Sequence, residues 1–451
     1  MPARLIESLA TTGPLADLFA DQSLLQAMLD FEVALARAEA QVGVVPKAAA
    51  DAIARAARAE EFDVARLTQE TLRAGSPSIP VVKALTERVR QENAEAAKYV
   101  HWGSTSQDVA DTAIVLLLKN ARPLLHADIV RLEEALRRLA EQHEKTVMLG
   151  RTLLQAAPPV TFGLKAAGWL GAVRRDRERL RAAFNEVLVL QFGGASGTLA
   201  ALGEHGPAIG QALAQELSLG TPDAPWHTHR DRLAAFVCAL GVLTGSLGKM
   251  ARDISLLMQS EVAEASEPSG EGRGGSSAMP HKRNPVGCLA ALAAAQRVPG
   301  LVATFLSCMV QEHERGLGPW QAEWPTIAAV VQATGVALHA MAEVAEGLSV
   351  DEARMRKNIE MTQGTVFAEK VVMLLGPHLG RDVAHRVLEE ATRRSLTQKR
   401  HLSEVLGEMP EIKQLAADVL SQLEEPALYL GAADIFRANL LAQTKTARNK
   451  E

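Results

Sequence analysis

The sequence predicts an all-α fold, an elongated helical bundle flanked by two smaller helical domains. Three observations carry that prediction. Ala and Leu dominate a chain whose aromatics make up only 4%, a balance that favours helix over strand. Within 227–264, Leu233, Phe236, Leu240, Leu243, Leu247, Met250, Ile254 and Leu257 recur at alternating steps of three and four, which is a heptad seam. Four further long helical patterns, 107–143, 159–189, 285–315 and 320–348, share its apolar character. A set of long helices that is apolar on more than one face calls for a bundle.

The chain of 451 residues is long enough for two or three domains with a sizeable core. The patterns divide it into an N-terminal helical domain (1–106), a central long-helix bundle (107–349) and a C-terminal helical domain (350–451). Hydrophobic residues at 47% and charged residues at 22% are ordinary for a soluble globular protein. A net charge of −5 argues against a general nucleic-acid binder. Any anion site must therefore be a local gathering of Arg, Lys and His. Cys238, Cys288 and Cys308 are odd in number and lack metal-ligand spacing, so they read as reduced thiols of a cytoplasmic protein. No secretory signal opens the chain, and its apolar runs read as broken by charge or glycine before membrane-spanning length. No metal or nucleotide motif is present, so neither kind of cofactor is implied.

The elements follow in order. Leu24, Met28, Phe31 and Leu35 mark a first long helix over 21–42. Shorter helical patterns continue to about 74. In SPSIPVV, 76–82, two prolines predict an extended turn, with helix resuming over 83–98. In YVHWGSTSQDVADTA, 99–113, Thr105 stands three residues before Asp108, the spacing of a capping box, and Gly103 allows a tight turn into the helix. A bend is expected near Pro123. GRTLLQ, 150–155, precedes Pro158 and Pro159, which predict a helix from 159. QFGGASGT, 191–198, is glycine-rich but no Lys-Ser or Lys-Thr follows it, so a structural turn is preferred to a phosphate loop. Gln191 is kept beside it as a weak site candidate.

Residues 265–285 interrupt two long helices. From Ser266 to Pro285 there are four glycines, four serines and three prolines, a composition in which no helix or strand survives. A polar loop of this length inside a compact chain is either functional or a linker. This one carries Arg273, His281, Lys282 and Arg283 beside Ser276 and Ser277. It ends Asn284-Pro285, an N-cap residue followed by a good first helical residue. The positive end of the next helix would then offer a place for a carboxylate.

The string GSSAMPHKRNP resembles the signature of the fumarase/aspartase superfamily. The resemblance implies that Ser276 handles a proton on carbon and that Lys282 and Asn284 contact substrate carboxylates, with Ser277 and Met279 beside them. YVHWGSTSQDVADTA resembles the first family motif and implies that Thr105, Ser106 and His101 are site residues. An ordinary helix cap is the competing account of that stretch. QEHERGLGPWQAEW, 311–324, resembles a segment that places an arginine, here Arg315, near the substrate; a charged surface helix end is the alternative. The family has a homotetrameric core of merged bundles and sites shared between chains.

Most lyases of this family carry histidine after the GRT of the second motif, where it serves the departing amine or hydroxyl. Here that residue is Leu153, which carries no proton. A reaction whose nucleophile is a carboxylate, with an unperturbed pKa of about 4, does not need that group. The departure points to the branch that closes a tricarboxylate diene into a lactone. SIPVVKAL, VLQFGGASGTLAALG, PWHTHRDR and GKMARDISLLMQSE also resemble that branch, and imply that Gln155 and His229 line its cavity. For His227, a polar helix start is the competing account. The partner is then a small-molecule tricarboxylate substrate, with no nucleic acid and no membrane. Two other readings remain: a C–N lyase like adenylosuccinate lyase, and a crystallin-like structural protein on the same scaffold. Leu153 speaks against the first, and an intact Ser276, Lys282 and Asn284 against the second.

Overall fold

The computed structural model describes residues 5–270, 272–275, 278–279, 281–412, 423 and 425–442. The fold is all-α, with only short two-stranded sheets among the described residues. The chain forms two compact units. One comprises Met1–Ile129, Arg175–Gly248 and Ala290–Ala340, the other Val130–Arg174, Lys249–Leu289 and Met341–Glu451. Their boundaries fall inside the five long helices, so each unit owns a stretch of every one.

In the first unit, short α1 (Gly13–Leu18) precedes α2 (Asp21–Val42). The predicted apolar positions Met28, Phe31 and Leu35 of α2 are buried. Gly43, at φ 87°, ends the helix in the left-handed conformation that glycine adopts at least cost. Then come α3 (Lys47–Ala56) and α4 (Val64–Ala74), the latter capped by Asp63, which accepts from Arg66 N at 3.0 Å. The expected extended turn at 76–82 is not formed. Instead α5 runs Ser78–Glu92, with Pro80 in its first turn, where a missing N–H removes no intrahelical bond. Later in this unit α8 (Gly206–Leu217) packs against α2.

The long helices are α6 (Ser106–Gln142), α7 (Phe162–Val187), α9 (Asp231–Leu257), α10 (Val286–Ser307) and α11 (Pro319–Glu346). All eight seam residues of α9 are buried. A Cβ on Gly248 would lie 2.5 Å from Ala295 Cβ, and one on Gly241 3.0 Å from Val302; these two glycines admit α10. Gly245 faces open space and has no such duty. Contrary to the sequence expectation, α9, α10 and α11 are each long and apolar enough to cross a membrane by length and composition. In α9 and α11, 61% of that stretch is buried within the protein; in α10 only 28% is.

In the second unit, β1 (Val147–Thr152) pairs antiparallel with β2 (Gln155–Thr161). The helix predicted from 159 therefore begins three residues later, at Phe162. Pro158 and Pro159 lie in β2, which is an edge strand, the place where a sheet tolerates proline. Thr161 Oγ1 accepts from Leu164 N at 3.1 Å and caps α7. Strands β3 (Ala265–Ser266) and β4 (Ser349–Val350) also pair. Beyond them α12 (Glu352–Glu360), α13 (Ala368–Leu379), α14 (Arg381–Gln398) and α15 (Leu402–Gly407) surround a core of Ile359, Phe367, Val387 and Leu402.

Candidate active site

The turn before α6 is built to deliver polar groups. Gly103 is at φ 68°, and a Cβ there would meet Leu202 at 2.5 Å, so only glycine fits. Thr105 N donates to Asp108 at 3.1 Å. That is half of the predicted capping box; the other half is replaced. Thr105 Oγ1 accepts instead from Arg315 Nη1 at 2.8 Å. Arg315 Nη2 donates to Ser106 Oγ at 3.0 Å and its Nε to Gln107 Oε1 at 3.2 Å. Arg315 comes from the connection between α10 and α11, so it is no idle surface charge. Each hydroxyl that accepts from the guanidinium keeps its own proton to donate. The first unit thus brings together Thr105, Ser106 and Arg315, a cation beside two oriented hydroxyl donors.

His101 lies in the same turn, with its Nδ1 2.7 Å from buried Glu32 Oε1. His229 is exposed, and no hydrogen bond joins its side chain to the other candidates among the described residues. Its neighbour His227 is buried instead, with Nε2 2.7 Å from Asp108 Oδ1, and it is a structural residue. Asp108 also accepts from Gly193 N at 3.0 Å and Gly194 N at 2.9 Å. The glycine turn at 191–198 therefore spends these amides on an internal carboxylate, as a structural turn should. Gln191 is fully buried, with Oε1 accepting from Trp226 N at 3.0 Å, and presents nothing to a ligand.

Beneath the clamp lies a charged group that sequence reasoning missed. Arg230 is buried and donates to Asp111 (2.8 and 3.0 Å) and to Glu323 (3.1, 3.0 and 2.6 Å). Trp320 Nε1 donates to Asp111 at 2.9 Å and Gln311 Nε2 to Glu323 at 2.8 Å. Burial opposes the charge on Arg230, but Asp111 and Glu323 outweigh it and hold the guanidinium firmly protonated. Burial lifts Glu323 to about 7, against the pull of Arg230. Asp108 and Asp111, three apart just before the apolar run 113–118 of α6, were the available sequence signal.

In the second unit, Leu153 and Leu154 form the two-residue tip between β1 and β2. Both have positive φ, 49° and 65°, and they are 97% and 78% exposed. Gln155 follows, exposed and with no hydrogen-bond partner for its side chain among the described residues. Arg151, of the same motif, donates to buried Glu264 at 2.9 and 2.7 Å. Asn358 Nδ2 adds a third bond to that carboxylate at 2.7 Å.

Ser276 and Ser277 lie outside the described residues. Met279 and Lys282 are exposed, and Lys282 N donates to Met279 O at 3.0 Å in a turn. Asn284 is half-buried, and its N donates to Gly274 O at 2.8 Å. Gly274 has φ 67°, and a Cβ there would meet Asn284 O at 2.6 Å. Pro285, not Asn284, is the N-cap, since its carbonyl accepts from Leu289 N at 2.8 Å. The amides of Gly287 and Cys288 donate to Glu267 at 2.9 and 2.8 Å. The helix end that the sequence offered to a ligand carboxylate is thus filled from within, and these two amides are spent on Glu267. Burial, then Glu267, push the Cys288 thiol well above its ordinary value, so it stays protonated.

Residues 8–300 match the Lyase family, and residues 364–439 match the family described as Adenylosuccinate lyase C-terminus. The chain is 51% identical to a 3-carboxy-cis,cis-muconate cycloisomerase of Bradyrhizobium diazoefficiens, over 93% of this chain and 94% of that one. It is 50% identical to a protein of the same name from Pseudomonas aeruginosa, over 98% and 96%. The crystal structure of 3-carboxy-cis,cis-muconate lactonizing enzyme from Pseudomonas putida superposes with a TM-score of 0.93. The two chains are 47% identical, with 98% of this chain and 99% of that one covered.

Proposed function

The chain belongs to the Lyase family, within the fumarase/aspartase superfamily, and on that premise we propose that it is a 3-carboxy-cis,cis-muconate cycloisomerase. This intramolecular lyase closes its substrate to 4-carboxymuconolactone in protocatechuate breakdown, the β-ketoadipate pathway. Identity near one half over nearly the whole chain to proteins of that name is the observation that carries the reading. Leu153 supports it chemically. A side chain without a proton suits a reaction in which an ionised carboxylate is the nucleophile and no amine or hydroxide departs.

A carboxylate oxygen of the substrate attacks the conjugated diene, and negative charge moves onto the carbon beside another carboxylate. That enolate-like charge needs preorganised cations and donors. Lys282 and Asn284 supply them from the loop. Ser276 delivers one proton to carbon; a serine hydroxyl does this only where positive charge stabilises its alkoxide. Arg315, with Thr105 and Ser106, holds a second carboxylate. His101, Gln155, His229, Ser277 and Met279 line the cavity. The enzyme is cytoplasmic and a homotetramer whose sites take residues from more than one chain. The uncovered apolar face of α10, with Leu289 and Leu306 exposed, and the bare Leu153–Leu154 tip support that assembly.

The test is to mix the purified protein with 3-carboxy-cis,cis-muconate and follow loss of diene absorbance. Rapid loss with lactone formation is expected. No turnover there, with fumarate released from adenylosuccinate, would hand the function to a C–N lyase.

A further inference from the structure

We propose that Glu32 is a positioning residue, which fixes His101 with Nδ1 turned inward and Nε2 presented as a cationic donor to a substrate carboxylate. The proposal rests on the reading of His101 as a site residue given above. Glu32 lies on α2, 69 residues before His101, and is 1% exposed. Its Oε1 is 2.7 Å from His101 Nδ1, and its other oxygen has no partner among the described residues. An ionised carboxylate only accepts, so the proton between them belongs to Nδ1. The ring nitrogen left over, Nε2, has no hydrogen-bond partner among the described residues, and the side chain is 21% exposed.

The backbone is shaped for this placement. His101 has φ 60°, a left-handed conformation that is costly for a non-glycine residue. Such a cost is borne where the surroundings fix the residue for a purpose. The same turn carries Thr105 and Ser106, whose hydroxyls Arg315 orients.

Two turns further along α2, Glu39 is fully buried and neither of its oxygens has a partner among the described residues. Burial, reinforced by the charge on Glu32, lifts Glu39 to about 9. It is therefore neutral at physiological pH. The charged groups facing His101 are Glu32 from α2 and Asp108 from α6. Burial lowers the imidazole pKa, but Glu32 by charge and hydrogen bond, with Asp108, outweighs it and leaves a net rise. His101 thus stays cationic over a wider pH range than a free histidine, as a carboxylate-binding group needs.

The experiment is a pH titration of histidine-labelled full-length protein by NMR, with His101 assigned through His101→Gln, alongside kinetics on 3-carboxy-cis,cis-muconate. In the wild type at alkaline pH, the neutral ring should keep its proton on Nδ1; an Nε2–H tautomer overturns the proposal without any variant. Glu32→Gln should lower the His101 midpoint, while Glu39→Gln leaves it in place. Glu32→Gln should also raise KM by about tenfold at pH 8 with kcat changed far less, because a charge-assisted hydrogen bond becomes a neutral one. Glu32→Asp should restore part of that loss. An unmoved midpoint overturns the pairing, and a moved midpoint with unchanged KM overturns the substrate-facing role. If the wild type does not lactonise the substrate at all, the function proposed above fails, and the tautomer and midpoint still decide the role of Glu32.

Discussion

Arg151 lays its guanidinium against Glu264 in a paired contact of 2.9 and 2.7 Å, and the carboxylate it meets is fully buried. The arginine of the GRT motif is therefore an anchor. It ties the β1–β2 hairpin to the residue from which strand β3 and the signature loop start, while Asn358 holds the same carboxylate from α12. Removing it strands a buried charge with one neutral donor. Arg151→Met should lower unfolding stability by about 3 kcal/mol, measured by urea denaturation. A change below about 1 kcal/mol would show that the pair is idle.

Arg315 reaches two hydroxyls and an amide with one planar group. Lysine keeps the charge but has no such fork. Arg315→Lys should cut kcat/KM by about a hundredfold, roughly 2.7 kcal/mol of transition-state binding. Steady-state kinetics on the muconate decide it, and a loss under threefold would remove Arg315 from the site.

Ser276→Ala should lower turnover by about two to four powers of ten, the usual worth of a positioned proton donor. The mass in solution by light scattering should match that of the wild type. Full activity in the variant would assign the proton to another group, with Ser277 the first to test.

Glu39 gives a pH prediction with a definite sign. Its folded pKa, about 9, lies above its ordinary value of 4.5. Between those values the folded chain binds more protons than the unfolded one, so stability falls as pH rises. Glu39→Gln removes that slope. The variant should overtake the wild type at pH 8 by on the order of 3 kcal/mol, with little difference at pH 5. Thermal unfolding across that range checks it, and parallel curves would refute it.

The parts of the fold that could be read were those set by local periodicity. The α9 seam from Leu233 to Leu257 is apolar at every turn, and no tertiary accident was needed to bury it. The hairpin was missed because GRTLLQAAPPV shows no alternation, and because Leu153–Leu154 is an unlikely pair for a turn that needs two positive φ values. The helix starting inside SPSIPVV was missed because proline is a breaker everywhere except the first turn, and the sequence does not announce where that turn begins. In the site, Thr105, Ser106 and Arg315 were singled out through family resemblance; local chemistry alone favoured an ordinary helix cap for the first two and left the third even. Glu32, Glu264 and Glu267 were invisible for one reason. Each is an ordinary acid in its own helix or loop and acquires its partner only through the fold, 69, 113 and about 20 residues away.

Glu267 has a consequence for how such proteins diversify. Because an internal acid neutralises the pole of α10, the scaffold contributes no fixed preference for one ligand shape at that spot. In the proposed site, recognition there falls to replaceable side chains such as Lys282 and Asn284. New acids can accordingly be accommodated by exchanging residues at the rim, one at a time, while the frame beneath stays sealed and keeps its own balance of charge.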